Sequence, residues 1–280
     1  MVICFPKIIN IYLYKAVFID VDGTLIKSDH SISIATFDVI QKLVTNEILV
    51  VLVSARPLSG IESIAKDIGL LNNPIASLNG AYISDKGDII LNSIIELGIV
   101  RDLNEQLQPY GSTIIYYQQN EWFSQSQNFD TDFEQKITSI PVLIQPFQLT
   151  LQCWQKNHTG PNKILVITAE AATNDIQESL TKKFGKHLNI YTSKPTYLEI
   201  MNKEASKVNA VKLLLERFNI RKEEIIAIGD NFNDKEMIEY AGLGIAMGNA
   251  PEEIKVIADY VTDTNNEDGV AKALLRILNV

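Results

Sequence analysis

Short apolar runs that end at polar loops are the feature of this sequence that most restricts its fold. Residues 16–19, 49–53 and 225–228 form continuous apolar runs rich in β-branched residues, and a loop with acidic or hydroxyl side chains follows each of them. Strands that are covered on both faces of a parallel sheet have this composition. Since segments with helical spacing separate the runs, the sequence predicts an α/β fold with a doubly wound parallel sheet.

The predicted helices begin and end at residues suited to those positions. Ser33 suits the N-cap of a helix after the first run, and Pro57 and Gly69 suit the first turn and the end of the helix after the second run. The later predicted elements are helices through 211–215, around 236–240 and over 270–277, and a short strand at 244–247.

The middle of the chain follows a different pattern. It is rich in Gln and Asn, and its alternating, aromatic segments are 113–117, 121–123 and 163–167. We therefore predict an inserted α+β cap domain over 93–193, with the core built from residues 1–92 and 194–280. Some aromatic side chains of the insert form either its own core or part of the lining of a cleft. They are Tyr116, Tyr117, Trp122 and Phe123.

The N-terminal segment contains one apolar stretch, residues 8–14, between Lys7 and Lys15. A membrane span needs about 20 apolar residues, and a signal peptide needs a longer apolar run and a cleavage site of small residues. We therefore expect a strand or an irregular lead-in to the first core strand, with a targeting segment or an extension as the alternatives.

Composition restricts the partners and the compartment. The 280 residues favour one large or two medium domains, and the net charge of −9 argues against nucleic acid or a membrane surface as the main partner. An anionic substrate remains compatible, because a metal ion and a few cations can reverse the field inside a cleft. Cys4 and Cys153 lie far apart without metal-binding spacing, so we expect no disulfide framework or zinc site and a cytoplasmic location.

The loop after the first run carries two carboxylates. Asp20 and Asp22 flank Val21, and Gly23 and Thr24 follow. Ligands bind at the carboxyl ends of strands in open α/β sheets, and this spacing suits a sharp turn over a bound anion. The alternative is an acidic turn without function, because Asp and Gly are common turn residues.

Two further segments offer groups for an anion. Ser54 and Ala55 follow the second run, where a hydroxyl and free backbone N–H groups at a helix N-terminus make a phosphate site. The alternative is an N-cap in front of Pro57. Lys207 lies near the start of a later predicted helix, where a lone lysine is ordinarily a solvated surface residue, and Lys203 is its rival.

The loop after the third run is also acidic. Asp230 and Asp234 are spaced i, i+4 with Asn233 between them, and such oxygen ligands can hold a hard cation. A calcium-binding loop is excluded, because the Asp/Asn-rich spacing of about twelve residues and its terminal Glu are absent. Together with Asp20 and Asp22, these carboxylates would crowd one site with negative charge, so we expect Mg²⁺.

In this order the motifs resemble those of the haloacid dehalogenase superfamily of phosphatases, and within it the Cof-type group with a large inserted cap of the C2 type. The matching residues, from the first motif to the fourth, are 20–25, Ser54, Lys207 and 229–230 with 233–234. Further Cof-like stretches are 78–81, 244–250, 259–262 and 267–270. The sequence departs from the family near the third motif, at Asn202, Ala205 and Val208, where Pro or Gly is more usual.

The resemblance extends from about Lys15 to the end of the chain and implies a Rossmannoid core with a Mg²⁺ site. It implies that the side chains of Asp20 and Asp230 and the backbone carbonyl of Asp22 bind the ion. Asp234 would orient these groups from outside the coordination sphere or through water.

The resemblance also implies a mechanism. Asp20 would attack phosphorus and form an aspartyl-phosphate, while Asp22 would protonate the leaving group and then accept a proton from water. The residues that would hold the phosphate oxygens are Val21, Ser54, Ala55, Lys207 and Asn233.

These expectations together predict a Mg²⁺-dependent phosphohydrolase of small phosphorylated metabolites, such as sugar phosphates. The cap would close over the site and select the substrate. Two alternatives stay open at this point: a phosphomutase or phosphotransferase of the same superfamily, and a catalytically silent module that binds phosphate for regulation.

Overall fold

The computed structural model describes residues 14–138 and 140–278. Residues 1–13 of the predicted N-terminal lead-in therefore lie outside the described residues. The strands in chain order are β1 (Ala16–Asp20), β2 (Leu49–Val53), β3 (Ile75–Ser77), β4 (Tyr82–Asp85), β5 (Asp88–Asn92), β6 (Thr113–Gln118), β7 (Glu121–Ser124), β8 (Leu143–Ile144), β9 (Lys163–Ile167), β10 (Leu188–Lys194), β11 (Tyr197–Asn202), β12 (Ile225–Gly229), β13 (Leu243–Ala246) and β14 (Tyr260–Val261). The α-helices are α1 (Ile34–Thr45), α2 (Leu58–Asp67), α3 (Leu97–Leu107), α4 (Phe129–Thr138), α5 (Phe147–Lys156), α6 (Glu170–Phe184), α7 (Lys207–Phe218), α8 (Lys235–Tyr240), α9 (Glu252–Ile257) and α10 (Gly269–Leu278). None of the helices in this part of the chain is long and apolar enough to cross a membrane.

Within the described residues, the larger sheet has eight strands in the order β14-β13-β12-β1-β2-β3-β4-β5. All neighbours from β14 to β3 are parallel, which confirms the predicted α/β sheet. The edge formed by β4 and β5 is antiparallel, a detail that the sequence analysis did not predict. Lys86 and Gly87 connect these two strands with positive φ angles of 52° and 88°, as a tight hairpin turn requires.

Helices cover both faces of this sheet. Val17 and Ile19 of β1 pack in one apolar cluster with α1, α2 and α10. Ala16 and Phe18 point to the other face and pack in a cluster with α7 and α8. Because β1 is buried on both sides, its sequence is a continuous apolar run rather than an alternating one.

The predicted helix boundaries are largely confirmed. Ser33 is the N-cap of α1, where its hydroxyl accepts a hydrogen bond of 3.1 Å from the backbone N–H of Thr36. Gly69 follows the end of α2 with a φ of +71°. Pro57 lies at the N-cap of α2, one position before the predicted first turn, because the helix begins at Leu58.

The second sheet, in the part of the chain that the structure describes, has six strands in the order β10-β11-β9-β6-β7-β8. Its face towards α3, α5 and α6 forms a separate apolar cluster that includes Tyr116 and Phe123. Tyr117 and Trp122 lie on the opposite face and join the cluster of the larger sheet. All four aromatic side chains are buried, which agrees with a role in the core rather than in the lining of a cleft.

The pairing of β11 bears on the predicted domain division. This strand, Tyr197–Asn202, pairs with β9 and β10 in the second sheet although it lies beyond residue 193. The division into a core and an inserted cap stays a prediction, and we propose that the second boundary lies after β11.

Candidate active site

The carboxyl ends of β1, β2 and β12 meet at one edge of the larger sheet, because β1 pairs with both of the others in parallel. Asp20 ends β1, Ser54 follows β2, and Asp230 follows β12. A cavity of about 770 Å³ lies at this edge, and its lining includes Asp20, Asp22, Ser54, Ala55, Lys207 and Asp230. The sequence motifs therefore converge as predicted.

Lys207 is buried at the centre of this edge. Its Nζ donates hydrogen bonds of 2.6 Å to Oδ1 of Asp20 and 2.6 Å to Oδ1 of Asp234. Burial alone would lower the pKa of Lys207, but the two carboxylates outweigh it and raise that pKa above its ordinary value. Ser206 caps α7 and fixes Lys207 as its first residue. Lys203, the rival candidate, lines the same cavity but is exposed.

Asp234 fixes the loop after β12. Its Oδ2 accepts hydrogen bonds of 3.0 Å from the backbone N–H groups of both Asp230 and Asn231. The Asp234 side chain is completely buried. Since water cannot solvate the carboxylate there, the two backbone N–H groups and Lys207 are the donors that stabilise it. Asp234 thus holds Asp230 at the cavity while it stays beneath the surface itself.

Asp20, Asp230 and Asp234 form a cluster in which carboxylate oxygens lie within 4.8 Å of one another. Burial, together with the charge of Asp234, raises the pKa of Asp230 to about 6. Burial also raises the pKa of Asp20, and Lys207 offsets this effect only in part. Carboxylate oxygens are the ligands that hard divalent cations prefer, so the cluster of Asp20, Asp230 and Asp234 fits such an ion.

The turn after Asp20 closes over Asp230. Gly23 has a φ of +80°, and a Cβ atom at this position would collide with the Asp230 carboxylate. Thr24 donates a hydrogen bond of 3.1 Å from its hydroxyl to Asp230 Oδ1. Asn249 donates to the Gly23 carbonyl at 2.8 Å and to Asp230 Oδ2 at 3.3 Å. The tight turn therefore brings the first and fourth motifs into contact.

Asp22 lies outside the cluster formed by Asp20, Asp230 and Asp234. Its two side-chain oxygens accept hydrogen bonds from Nε and Nη2 of Arg56, at 2.8 Å and 2.6 Å. The backbone N–H of Arg56 in turn donates to the hydroxyl of Ser54 at 3.1 Å. The backbone carbonyl of Asp22 as a further metal ligand stays a prediction.

The sequence pattern of haloacid dehalogenase-like hydrolases matches residues 17–274, nearly the whole chain. The chain belongs to this family. A relative from Haemophilus influenzae is 38% identical over 265 residues, which are 94% of this chain and 97% of the relative. A Bacillus subtilis relative, named 5-amino-6-(5-phospho-D-ribitylamino)uracil phosphatase YcsE, is 30% identical over 261 residues, 93% of this chain and 94% of its own length.

Solved structures agree with this membership. A haloacid dehalogenase-like hydrolase from Bacteroides thetaiotaomicron superposes with a TM-score of 0.85 at 29% identity, over 95% of this chain and 100% of the other. The predicted resemblance to Cof-type phosphatases of the superfamily is therefore confirmed, and so is the predicted enzyme class of phosphatase.

Asn79 joins the site of this haloacid dehalogenase-like phosphatase from a third loop. Its Oδ1 accepts a hydrogen bond of 3.0 Å from Nδ2 of Asn233, and its backbone N–H donates to the Ser54 carbonyl at 2.8 Å. Asn79 and the preceding Leu78 both have left-handed backbones, with φ angles of 54° and 49°. Non-glycine residues rarely adopt this conformation, and they do so mainly where the surroundings require it.

Several residues of the site were not predicted from the sequence as members of it. They are Arg56, Asn79 and Asn249. Each has a sequence signal in retrospect: Arg56 lies two residues after Ser54, and the other two lie in Cof-like stretches of unassigned role. The predicted residue Val21 is buried beneath the turn, where its carbonyl accepts a hydrogen bond from the backbone N–H of Ile26 at 3.1 Å.

Proposed function

We propose that this phosphatase hydrolyses small phosphate monoesters through an aspartyl-phosphate on Asp20, in a reaction that depends on Mg²⁺. The observation that carries the proposal is the position of Asp20 at the cavity, buried and held by Lys207 at 2.6 Å, beside Asp230 and Asp234. A carboxylate fixed in this way is a nucleophile with a defined orientation.

The proposed chemistry has two steps. A carboxylate oxygen of Asp20 attacks phosphorus in line, the bond from phosphorus to the ester oxygen breaks, and a protonated Asp22, released from Arg56, gives its proton to the departing alkoxide. Asp22 then takes a proton from a water molecule, which attacks the same phosphorus and releases inorganic phosphate and Asp20. Asp22 suits a shuttle because half of its side chain is exposed, so it can exchange protons with solvent.

The remaining groups would bind the phosphoryl oxygens. Lys207 supplies a buried positive charge, and we assign hydrogen bonds to the hydroxyl of Ser54, the amide of Asn233 and the backbone N–H groups of Val21 and Ala55. Such fixed donors stabilise charge that is spread over the equatorial oxygens in the transition state. The side chains of Asp20 and Asp230 would hold Mg²⁺, with Asp234 orienting them, and the ion would supply the positive charge that lets a phosphate dianion approach these carboxylates.

The proposed substrates are small phosphorylated metabolites, including sugar phosphates. The Bacillus subtilis relative is named for a phosphatase that acts on a phosphorylated ribityl group, which supports a substrate of this size and polarity. We also propose a cytoplasmic location, which is consistent with a free thiol at Cys153.

The test uses purified protein with p-nitrophenyl phosphate and sugar phosphates, in Mg²⁺ and in EDTA. We expect release of inorganic phosphate in Mg²⁺, loss of it in EDTA, and a fall in kcat on the order of 10⁴-fold or more in Asp20→Asn. Asp38→Asn, an exposed carboxylate on α1, is the matched control and should retain full activity. Wild-type turnover in a folded Asp20→Asn variant would overturn the proposal.

A further inference from the structure

The face of the second sheet that lies opposite α3, α5 and α6 carries a buried charged pair among apolar residues. Side chains alternate along a strand, so Lys163 shares this face with Leu165 on β9, and Glu199 shares it with Met201 on β11. Leu165 and Met201 belong to the apolar cluster of the larger sheet. Lys163 and Glu199 are 6% and 9% exposed, so both charges are largely removed from water.

The contacts of this pair converge on one oxygen of Glu199. Oε2 lies 3.6 Å from Nζ of Lys163 and accepts a hydrogen bond of 3.2 Å from the hydroxyl of Tyr191. Among the described residues, Oε1 is therefore the oxygen left to accept a hydrogen bond. A buried ion pair seldom improves stability over apolar residues of similar size, because removing the charges from water costs free energy. The pair is therefore weak evidence for a stabilising role, and its position relative to the phosphate site is the more informative property.

The pair is connected to the loops of the phosphate site. Nζ of Lys163 donates a hydrogen bond of 3.3 Å to the carbonyl of Ala55. The hydroxyl of Tyr191 accepts a hydrogen bond of 2.7 Å from Nδ2 of Asn79, whose Oδ1 contacts Asn233. These contacts fix the second sheet against both the loop after β2 and the loop after β12.

Glu199 and Asp20 line the same cavity. Glu199 reaches it from the second sheet, and Asp20 reaches it from the edge of the larger sheet. A phosphate ester that is bound at Asp20 must place its leaving group in the remaining part of this cavity. Glu199 is thus a buried acceptor on the wall available to the leaving group.

We infer that Glu199 is a specificity-determining residue that accepts hydrogen bonds from hydroxyl groups of the leaving group. The inference rests on the proposed function. A carboxylate is an acceptor without donors, so it matches a hydroxyl group and repels a second phosphate or carboxylate on the substrate. Lys163 and Tyr191 act as positioning residues, because they hold the other oxygen of Glu199.

The experiment compares substrates with and without hydroxyl groups. Ribose 5-phosphate, glucose 6-phosphate and ribitol 5-phosphate are the hydroxylated esters, and p-nitrophenyl phosphate is the reference. For each protein the readout is the ratio of kcat/KM for a hydroxylated ester to kcat/KM for the reference. We expect the wild type to prefer at least one hydroxylated ester, and we expect Glu199→Ala to lower its ratio roughly 5- to 150-fold, as loss of a buried hydrogen-bond partner does.

Glu199→Gln keeps the shape of the side chain and should lower the ratio less, because the amide oxygen still accepts a hydrogen bond. Glu121→Gln, an exposed carboxylate on β7, is the control and should leave the ratio unchanged. Melting temperatures identify any Glu199 variant that fails to fold. In that case Tyr191→Phe, which removes the hydroxyl that holds Glu199, is tested instead. We expect it to lower the ratio of kcat/KM for the hydroxylated ester to that for p-nitrophenyl phosphate.

The outcomes separate this inference from the proposed function. A wild type that releases no phosphate from any ester in Mg²⁺ overturns the proposed function. A wild type that is active but prefers p-nitrophenyl phosphate to every hydroxylated ester overturns only the inference. An unchanged ratio in folded Glu199→Ala overturns it as well.

Discussion

Arg56 holds both carboxylate oxygens of Asp22, with Nε 2.8 Å from Oδ2 and Nη2 2.6 Å from Oδ1. The side chain of Arg56 is 28% exposed and that of Asp22 is 50% exposed. Ion pairs with this exposure typically stabilise a fold by about 1 kcal/mol or less. The significance of this pair is therefore its geometry. Arg56 belongs to the loop of Ser54, so the loop that is proposed to bind phosphate also orients the proposed proton shuttle.

We expect Arg56→Ala to lower kcat roughly 10- to 100-fold, because a misplaced acid–base group loses much of its effect. Arg56→Lys should lie between this variant and the wild type, since an ammonium group cannot bind both oxygens side by side. Steady-state kinetics with p-nitrophenyl phosphate provide the measurement. Arg217→Ala removes an ion pair between an arginine that is 43% exposed and the buried Asp85, outside the cavity lining, and should keep the wild-type kcat. Equal kcat values for the Arg56 and Arg217 variants would contradict an orienting role.

The two candidate lysines should differ sharply in stability. Lys207→Ala leaves Asp20 and Asp234 buried without their shared cation, which should lower the free energy of unfolding by about 3–5 kcal/mol. Lys203→Ala removes an exposed side chain and should change it by about 0.5 kcal/mol or less. Urea unfolding in EDTA, where no metal compensates the carboxylates, measures both. Similar losses in the two variants would show that the buried ion pairs of Lys207 contribute no more than a surface lysine.

The raised pKa of Asp230 predicts a pH-dependent effect of Mg²⁺. Its pKa is about 6 in the folded protein and 3.8 in the reference state, so the metal-free folded state binds more protons than the unfolded state between these values. The free energy of unfolding of the metal-free protein should therefore fall as pH rises through this window. A divalent cation competes with these protons, so the increase in melting temperature caused by Mg²⁺ should grow from about pH 5 to about pH 7.

Thermal unfolding with Mg²⁺ and with EDTA, at several pH values across this window, is the measurement. Asp230→Asn cannot be deprotonated and should show little stabilisation by Mg²⁺ at any of them. A stabilisation that is the same at all pH values in the wild type would be inconsistent with proton competition at Asp230.

The sequence predicted the sheet well because its central strands are buried on both faces. β1 and β12 appear as apolar runs for this reason, and the polar residues after them necessarily meet at one edge. Lys207 was different, since its spacing alone indicated a solvated residue and only the family resemblance singled it out. Its burial depends on where α7 starts relative to β1 and β12, which local sequence does not encode.

Arg56 and Asn79 were not predicted as members of the site, because their roles depend on contacts between loops. Arg56 contacts Asp22 across 34 positions of sequence, and Asn79 contacts Asn233 across 154. Neither partner is visible from local spacing. The antiparallel edge of the larger sheet was missed for a related reason, since the short turn at Leu78–Gly80 does not show by itself whether the next strand runs parallel or antiparallel to β3.

The last prediction concerns Asn79, which combines a left-handed backbone with two side-chain hydrogen bonds, to Asn233 and to Tyr191. Asn79→Gly and Asn79→Ala both remove these bonds, so each should lower kcat/KM roughly 10-fold. Only Ala also strains the left-handed backbone, so Asn79→Ala should be less stable than Asn79→Gly by about 1 kcal/mol. Kinetics and urea unfolding of the two variants therefore separate the side chain from the backbone. Wild-type kcat/KM in both variants would show that the Asn79 hydrogen bonds to Asn233 and Tyr191 do not contribute to catalysis. Equal free energies of unfolding would show that the left-handed backbone stores no strain.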